Sequence, residues 1–321
     1  MNIDQSEPCP CGSGKKYQNC CMKQVSKEPS INPQVTVAKL KTTAPRHTNE
    51  IYNASNDDFF ELTPEHLNNW LYAPFSKLQW VRINTPNDLS TSPVMRYLEL
   101  ILDAALINGD YVEADTKGNL PLNIAREASM LSSQFSVSSC EDSIISDYSG
   151  ENEDMFDALH YCRVLAEVAD ILHLKNNRLH ISSWAKQKYL QDGINSLFTP
   201  MLETALYHYN WGYLDGWKYT VPLQRLWLFM LWRLQKHSSL TKLFDETCHA
   251  FPKLLDELEE EDLFLKKKFL GMIIETRFAE RFLQFFGFIL IDQPQHTDGK
   301  GVSQNITCLP LLRETFEFSS E

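Results

Sequence analysis

Four cysteines fall within thirteen positions of a 321-residue chain, at Cys9, Cys11, Cys20 and Cys21, and the remaining four (Cys140, Cys162, Cys248, Cys308) are scattered singly. The clustered thiols read Cys-x-Cys, eight residues, Cys-Cys. Apart from Tyr17 and Met22 the segment has almost no large apolar residues, so a core cannot fold it and a cross-link must. Four sulfur ligands suit tetrahedral zinc and make a closed structural site with no open position for a substrate. Gly12 and Gly14 bend a chain readily, which lets backbone amides turn back toward the thiolates. In finger peptides the metal contributes an apparent ~10–16 kcal/mol at neutral pH. A disulfide is disfavoured, because a vicinal Cys20–Cys21 bridge is strained and the expected compartment is reducing. A redox-active dithiol stands as the alternative, since neighbouring lysines lower thiol pKa.

The string from Pro8 through Gly12-Ser13-Gly14-Lys15-Lys16-Tyr17 to Cys20-Cys21 resembles the SEC-C motif, the short zinc-binding module named from the C-terminus of the SecA translocation motor. The resemblance implies a structural Zn2+ held by Cys9, Cys11, Cys20 and Cys21, the last standing where the family has His or Cys. It also implies partner contact through Lys15, Lys16, Tyr17 and Lys23; in the translocase the partner is an export chaperone. The same glycines and lysines do not form a phosphate loop. The first glycine, the Ser/Thr after the lysine and a preceding strand are all missing.

Charge divides the chain. The formal net charge is -12, yet residues 1–50 carry net +3 and residues 51–321 net -15. The acidic balance argues against general attraction to nucleic acid or anionic lipid, whereas the basic head suits an acidic protein partner. The apolar run 226–232 covers seven residues, far short of the roughly 20 that span a bilayer, and no apolar segment of signal-peptide type lies in residues 1–24. No membrane association and a cytoplasmic location are expected. Pro29, Pro33 and Pro45 in a stretch poor in large apolar residues predict a tether. The expected organisation is a zinc module at 1–22, a flexible basic linker at 23–50, a helical, winged-helix-like unit at 51–193, and a helical unit at 194–321 ending in a second winged-helix-like element.

The expected fold class is mainly α with short β-hairpins (α+β). Val94, Leu98, Ile101, Leu102 and Ala105 recur at helical spacing, with Gly109-Asp110 as a stop and a strand at 111–114. Asn119 is placed to cap a helix with Pro121 in its first turn. Nine serines between 129 and 149 predict a loop. A helical stripe from Met155 to Leu172 leads to a hairpin turning on Asn176-Asn177, and Ser182 or Ser183 caps the helix that follows. Near the end, a helix at 269–286 precedes strands at 288–291 and 306–309, while the acids of 256–262 are expected as a solvated helix segment. This body is similar to the winged-helix-like region of SEC-C-bearing proteins of unknown function and of an uncharacterised plasmid-encoded family, on the residues Thr116 to Pro121, Glu153-Asp154 and the helix–hairpin–helix 159–189.

No catalytic constellation emerges. Asp157-x-x-His160 and Asp170-x-x-His173 resemble helical metal half-sites, but an offset of thirteen residues rotates them by about 220° on one helix. His208, Trp211, Tyr213, Trp217 and Tyr219 form an aromatic cluster read as packing rather than a base-stacking platform, because it lacks interleaved basic residues beyond Lys218. The leading expectation is therefore a non-enzymatic zinc adaptor that docks a protein partner. The alternatives are a nucleic-acid-binding regulator and an enzyme whose site is assembled from distant residues.

Overall fold

The computed structural model describes residues 16–19, 54, 56–132, 153–213, 215–292, 295–297 and 301–319. The chain divides into two compact units, Met1–Asn69 and Trp70–Glu321. In the first, the described residues hold 3₁₀ turns at Tyr17–Asn19 and Asp57–Phe59 and the start of helix α1 (Pro64–Tyr72). The second is mostly helical with short antiparallel strands, the general α+β character expected. The serine-rich loop at 133–149 and the linker at 23–50 lie outside the described residues.

The centre of the larger unit is helix α2 (Pro93–Ile107), which begins after Ser92 with proline at its first position and buries Val94, Leu98, Ile101, Leu102 and Ala105 on one stripe. Gly109 at φ +81° ends it, and strand β2 (Tyr111–Glu113) follows. Helix α3 (Leu122–Ser132), helix α4 (Asp157–Val168) and strands β3 (Leu172–Lys175) and β4 (Arg178–Ile181) complete the assembly. β4 pairs antiparallel with both β3 and β2, giving the order β2-β4-β3. The hairpin turns through Asn176 and Asn177 at φ +53° and +54°, the left-handed pair that a two-residue turn between twisted strands requires.

Two local expectations are corrected here. Asn119 does not cap α3; its N–H and Nδ2 donate to the Asp115 carboxylate at 2.9 and 3.2 Å, closing the turn, and the helix starts at Leu122. Ser182 precedes helix α5 (Ser183–Asp192) in the cap position, but its hydroxyl makes no capping bond.

Beyond α5 come helices α6 (Phe198–Tyr207), α7 (Trp227–His237) and α8 (Leu240–Ala250), with residues 208–222 irregular between the first two where described. The acids of 256–262 are not one helix segment. A 3₁₀ turn ends at Glu257, and Asp262 accepts from the Phe264 and Leu265 amides to start helix α9 (Leu263–Ile274). A carboxylate at that position satisfies orphan donors, so the helix starts after the acid rather than through it.

Helix α9 runs into a π-helix, Glu275–Gln284, where a plain α-helix is expected. The segment buries Phe278 and Phe282, and Phe285, Phe286 and Phe288 follow it into the core. Gly287, at φ +78°, sits where an added Cβ would lie 2.4 Å from the Thr91 carbonyl oxygen. Together with the Val94 N–H donating to Phe285 O at 3.0 Å, it presses the end of this segment onto the start of α2. Strand β5 (Ile289–Ile291) then pairs antiparallel with β8 (Ile306–Cys308), and β6 (Gln295–Thr297) pairs with β7 (Gly301–Ser303) between them. After α10 (Pro310–Thr315), strand β9 (Phe316–Phe318) pairs with β1 (Val81–Ile83).

Candidate metal centre and polar sites of the body

The four candidate zinc ligands, Cys9, Cys11, Cys20 and Cys21, and the candidate contact residues Lys15 and Lys23 lie outside the described residues. Between the two cysteine pairs, Lys16 is exposed and Tyr17–Asn19 forms a 3₁₀ turn closed by the Asn19 N–H on Lys16 O at 2.8 Å. A tight turn compresses the connection between the pairs, and a four-thiol donor set has the chemistry that zinc takes. Among the described residues no group of three or more His, Cys, Asp or Glu is placed to hold a metal ion.

The body cysteines are of a different kind. Cys162 is buried on α4 and its Sγ donates to Val94 O at 3.2 Å; burial pushes its thiol well up, which makes it inert. Burial also raises the Cys248 thiol.

The two Asp-x-x-His motifs part company. His160 faces Glu153, its Nδ1 2.7 Å from Oε1, while His173 lies on β3 and stacks on His180 of β4 with ring centroids 5.5 Å apart. Glu153, with its side chain fully buried, is a site that no local spacing in the sequence marks. It also accepts from Arg163 Nε at 2.6 Å and from the Leu120 N–H at 2.6 Å. Arg163 continues to Glu167, and the His160 ring stacks on Tyr213. One carboxylate thus gathers the approach to α3 and one face of α4, with every partner a donor that suits its charge.

The aromatic cluster is split by burial. His208 and Tyr213 are exposed, whereas Trp211 and Tyr219 are buried beside a cavity of about 280 Å3 that Trp217 also lines. Trp211 stacks on Phe278 and Phe282 of the π-helix, and its Nε1 donates to Ala205 O at 2.7 Å. Arg277, on the same π-helix and 4% exposed, lines the cavity with its Nε on the Asp215 carboxylate and its Nη2 donating to Tyr219 O at 2.7 Å. Asp215 in turn accepts from the Trp217 N–H at 2.9 Å. No spacing rule links Arg277 to Asp215, 62 residues away, so sequence reading missed both.

A second open cavity of about 430 Å3 lies along Trp70, Tyr72, Tyr207, Arg225 and Trp227. No helix among the described residues is long and apolar enough to cross a membrane.

Compared with known proteins, residues 6–23 match the model of the SEC-C motif. No curated protein and no solved structure matches the chain.

Proposed function

We propose that this protein is a zinc-binding adaptor whose cysteine module docks a protein partner. The observation that carries the reading is the coincidence of the SEC-C match at residues 6–23 with a complete set of four thiols at Cys9, Cys11, Cys20 and Cys21. In this reading a structural Zn2+ cross-links the four thiolates and supplies no catalytic chemistry, and Lys15, Lys16, Tyr17 and Lys23 form the contact surface for an acidic partner in the cytoplasm. The module occupies residues 1–22, the linker 23–50, and the body begins at 51.

The body is read as winged-helix-like, in units at 51–193 and at the end of 194–321. Supporting this for the first unit are the chain order helix, strand, helix, helix, hairpin and the sheet order β2-β4-β3. A protein-binding use is favoured over nucleic-acid binding. The helix before the hairpin, α4, buries Leu159, Tyr161, Cys162, Leu165 and Ala166 and bears Asp157 and Glu167 as its acids, so it offers no basic exposed face to a phosphate backbone.

The test is metal analysis after chelator-free purification, paired with affinity capture by wild type and Cys20→Ser. One zinc per chain, lost in the variant together with a set of captured proteins, is expected. Zinc content near zero in the wild type, or capture that does not depend on Cys20, overturns the reading. A nucleic-acid titration at two salt concentrations should show no binding that weakens steeply with salt.

A further inference from the structure

The cavity beside Arg277 has no part in the zinc reading, and its walls have a definite chemistry. At about 280 Å3 it falls just below the roughly 300–1,000 Å3 of small-molecule sites, the size for a single ring system rather than a dinucleotide or peptide. Its buried guanidinium spends Nε on Asp215 and one Nη2 hydrogen on Tyr219 O; within the described residues its other hydrogens make no bond. The Nη end lies against Gly212, which lines the same cavity and whose added Cβ would stand 3.2 Å from Nη2. A side chain at that position would crowd Nη2 and Cζ of the guanidinium.

Charge selects the ligand. Arg277 is compensated by Asp215, whose side chain is 1% exposed, and Lys218 on the wall is paired with Glu259. The hydroxyl of Tyr219 donates to Glu260 at 2.6 Å, adding a further carboxylate nearby. An anion entering here meets no surplus positive charge, so the open edge of Arg277 suits two adjacent neutral acceptors on a planar ring. Arginine pairs in this way with the O6 and N7 atoms of guanine. Trp217 and Tyr219 are among the residues that line the cavity, and an aromatic ring stacks on any base. Gln224, which lines this cavity and the second one, has its Nε2 engaged by Leu206 O and Tyr209 O at 3.2 and 2.7 Å, so its remaining polar side-chain atom is Oε1, an acceptor.

We propose that the cavity formed by Arg277, Gly212, Trp217, Tyr219 and Gln224 binds a guanine-type base, recognised by its adjacent acceptors. The experiment is calorimetric titration of the full chain with guanosine, adenosine and benzoate. Saturable one-to-one binding of guanosine, at least tenfold tighter than adenosine and with benzoate inert, is expected. Arg277→Lys keeps a charge for Asp215 but loses the two-donor edge, and should weaken guanosine at least tenfold. Thr220→Phe, at an exposed lining position, should block binding without shifting the melting temperature, and decides the matter if the Arg277 variant does not fold. Equal affinity for both nucleosides, binding of benzoate instead, no saturable heat with any of them, or unaltered guanosine binding by Thr220→Phe overturns the proposal.

Discussion

Glu153 sets the stakes at the level of single residues. A fully buried carboxylate is stable only while its donors are present, and here Arg163, His160 and the Leu120 amide provide them. Glu153→Leu removes the acceptor of Nε on the nearly buried Arg163, leaving it Glu167 and the His160 ring, and should cost about 3 kcal/mol or more, read from the urea midpoint. Glu153→Gln keeps an acceptor and should cost less. Glu280 behaves oppositely. Burial, reinforced by the nearby Glu275 charge and opposed by Arg281, lifts its carboxyl from the ordinary 4.5 to about 7. Between those two values the folded chain holds a proton that the unfolded chain has released, so stability from this group is present below pH 4.5 and is lost as pH rises to 7. Glu280→Gln should flatten that part of the pH–stability profile and leave the protein more stable than wild type at pH 8; an unchanged slope would show that another group sets it.

Among the elements, the β3–β4 hairpin depends on two consecutive left-handed residues. A β-branched side chain at Asn177 meets the steric cost of φ +54°, so Asn177→Val should destabilise by about 1–2 kcal/mol and lower the melting temperature. Asn177→Gly should not. The effect reaches past the hairpin because β4 is the central strand, holding β2 as well as β3. The π-helix is the other element with long-range consequences. It carries Arg277 to the cavity wall and Phe278 and Phe282 to Trp211, and Gly287 just after it permits the close approach to Thr91.

At the scale of the molecule, the larger unit is closed by residues near its two ends. β1 and β9 pair in register from Val81↔Phe318 to Ile83↔Phe316, and Phe318 sits edge-on to Trp70 at 5.5 Å. Phe316, 2% exposed, contacts Trp227 and Phe288 with centroids 5.8 and 5.3 Å away. Phe316→Ala should therefore cost about 3–5 kcal/mol in global stability, comparable with a central core truncation although it lies five residues from the last position of the chain. A loss confined to local fraying, with an unchanged unfolding midpoint, would show that this closure is peripheral.

What the sequence determined by itself is the chemistry held in short spacings. The SEC-C pattern between residues 6 and 23, the stripe of α2 and the turn at Asn176-Asn177 all rest on neighbours a few residues apart or on strong local propensity. Where two local signals compete, tertiary context decides between them. Asn119 has the composition of a cap but closes a turn on Asp115, and the acids before Leu263 end in a cap rather than a helix. The tertiary structure alone decided which distant groups meet: Glu153 with Leu120, Arg277 with Asp215, and the cavity that Trp217 and Tyr219 share with Arg277. The physical reason is that a buried charge must find its partner across the fold, and that pairing leaves no periodicity for a sequence to display.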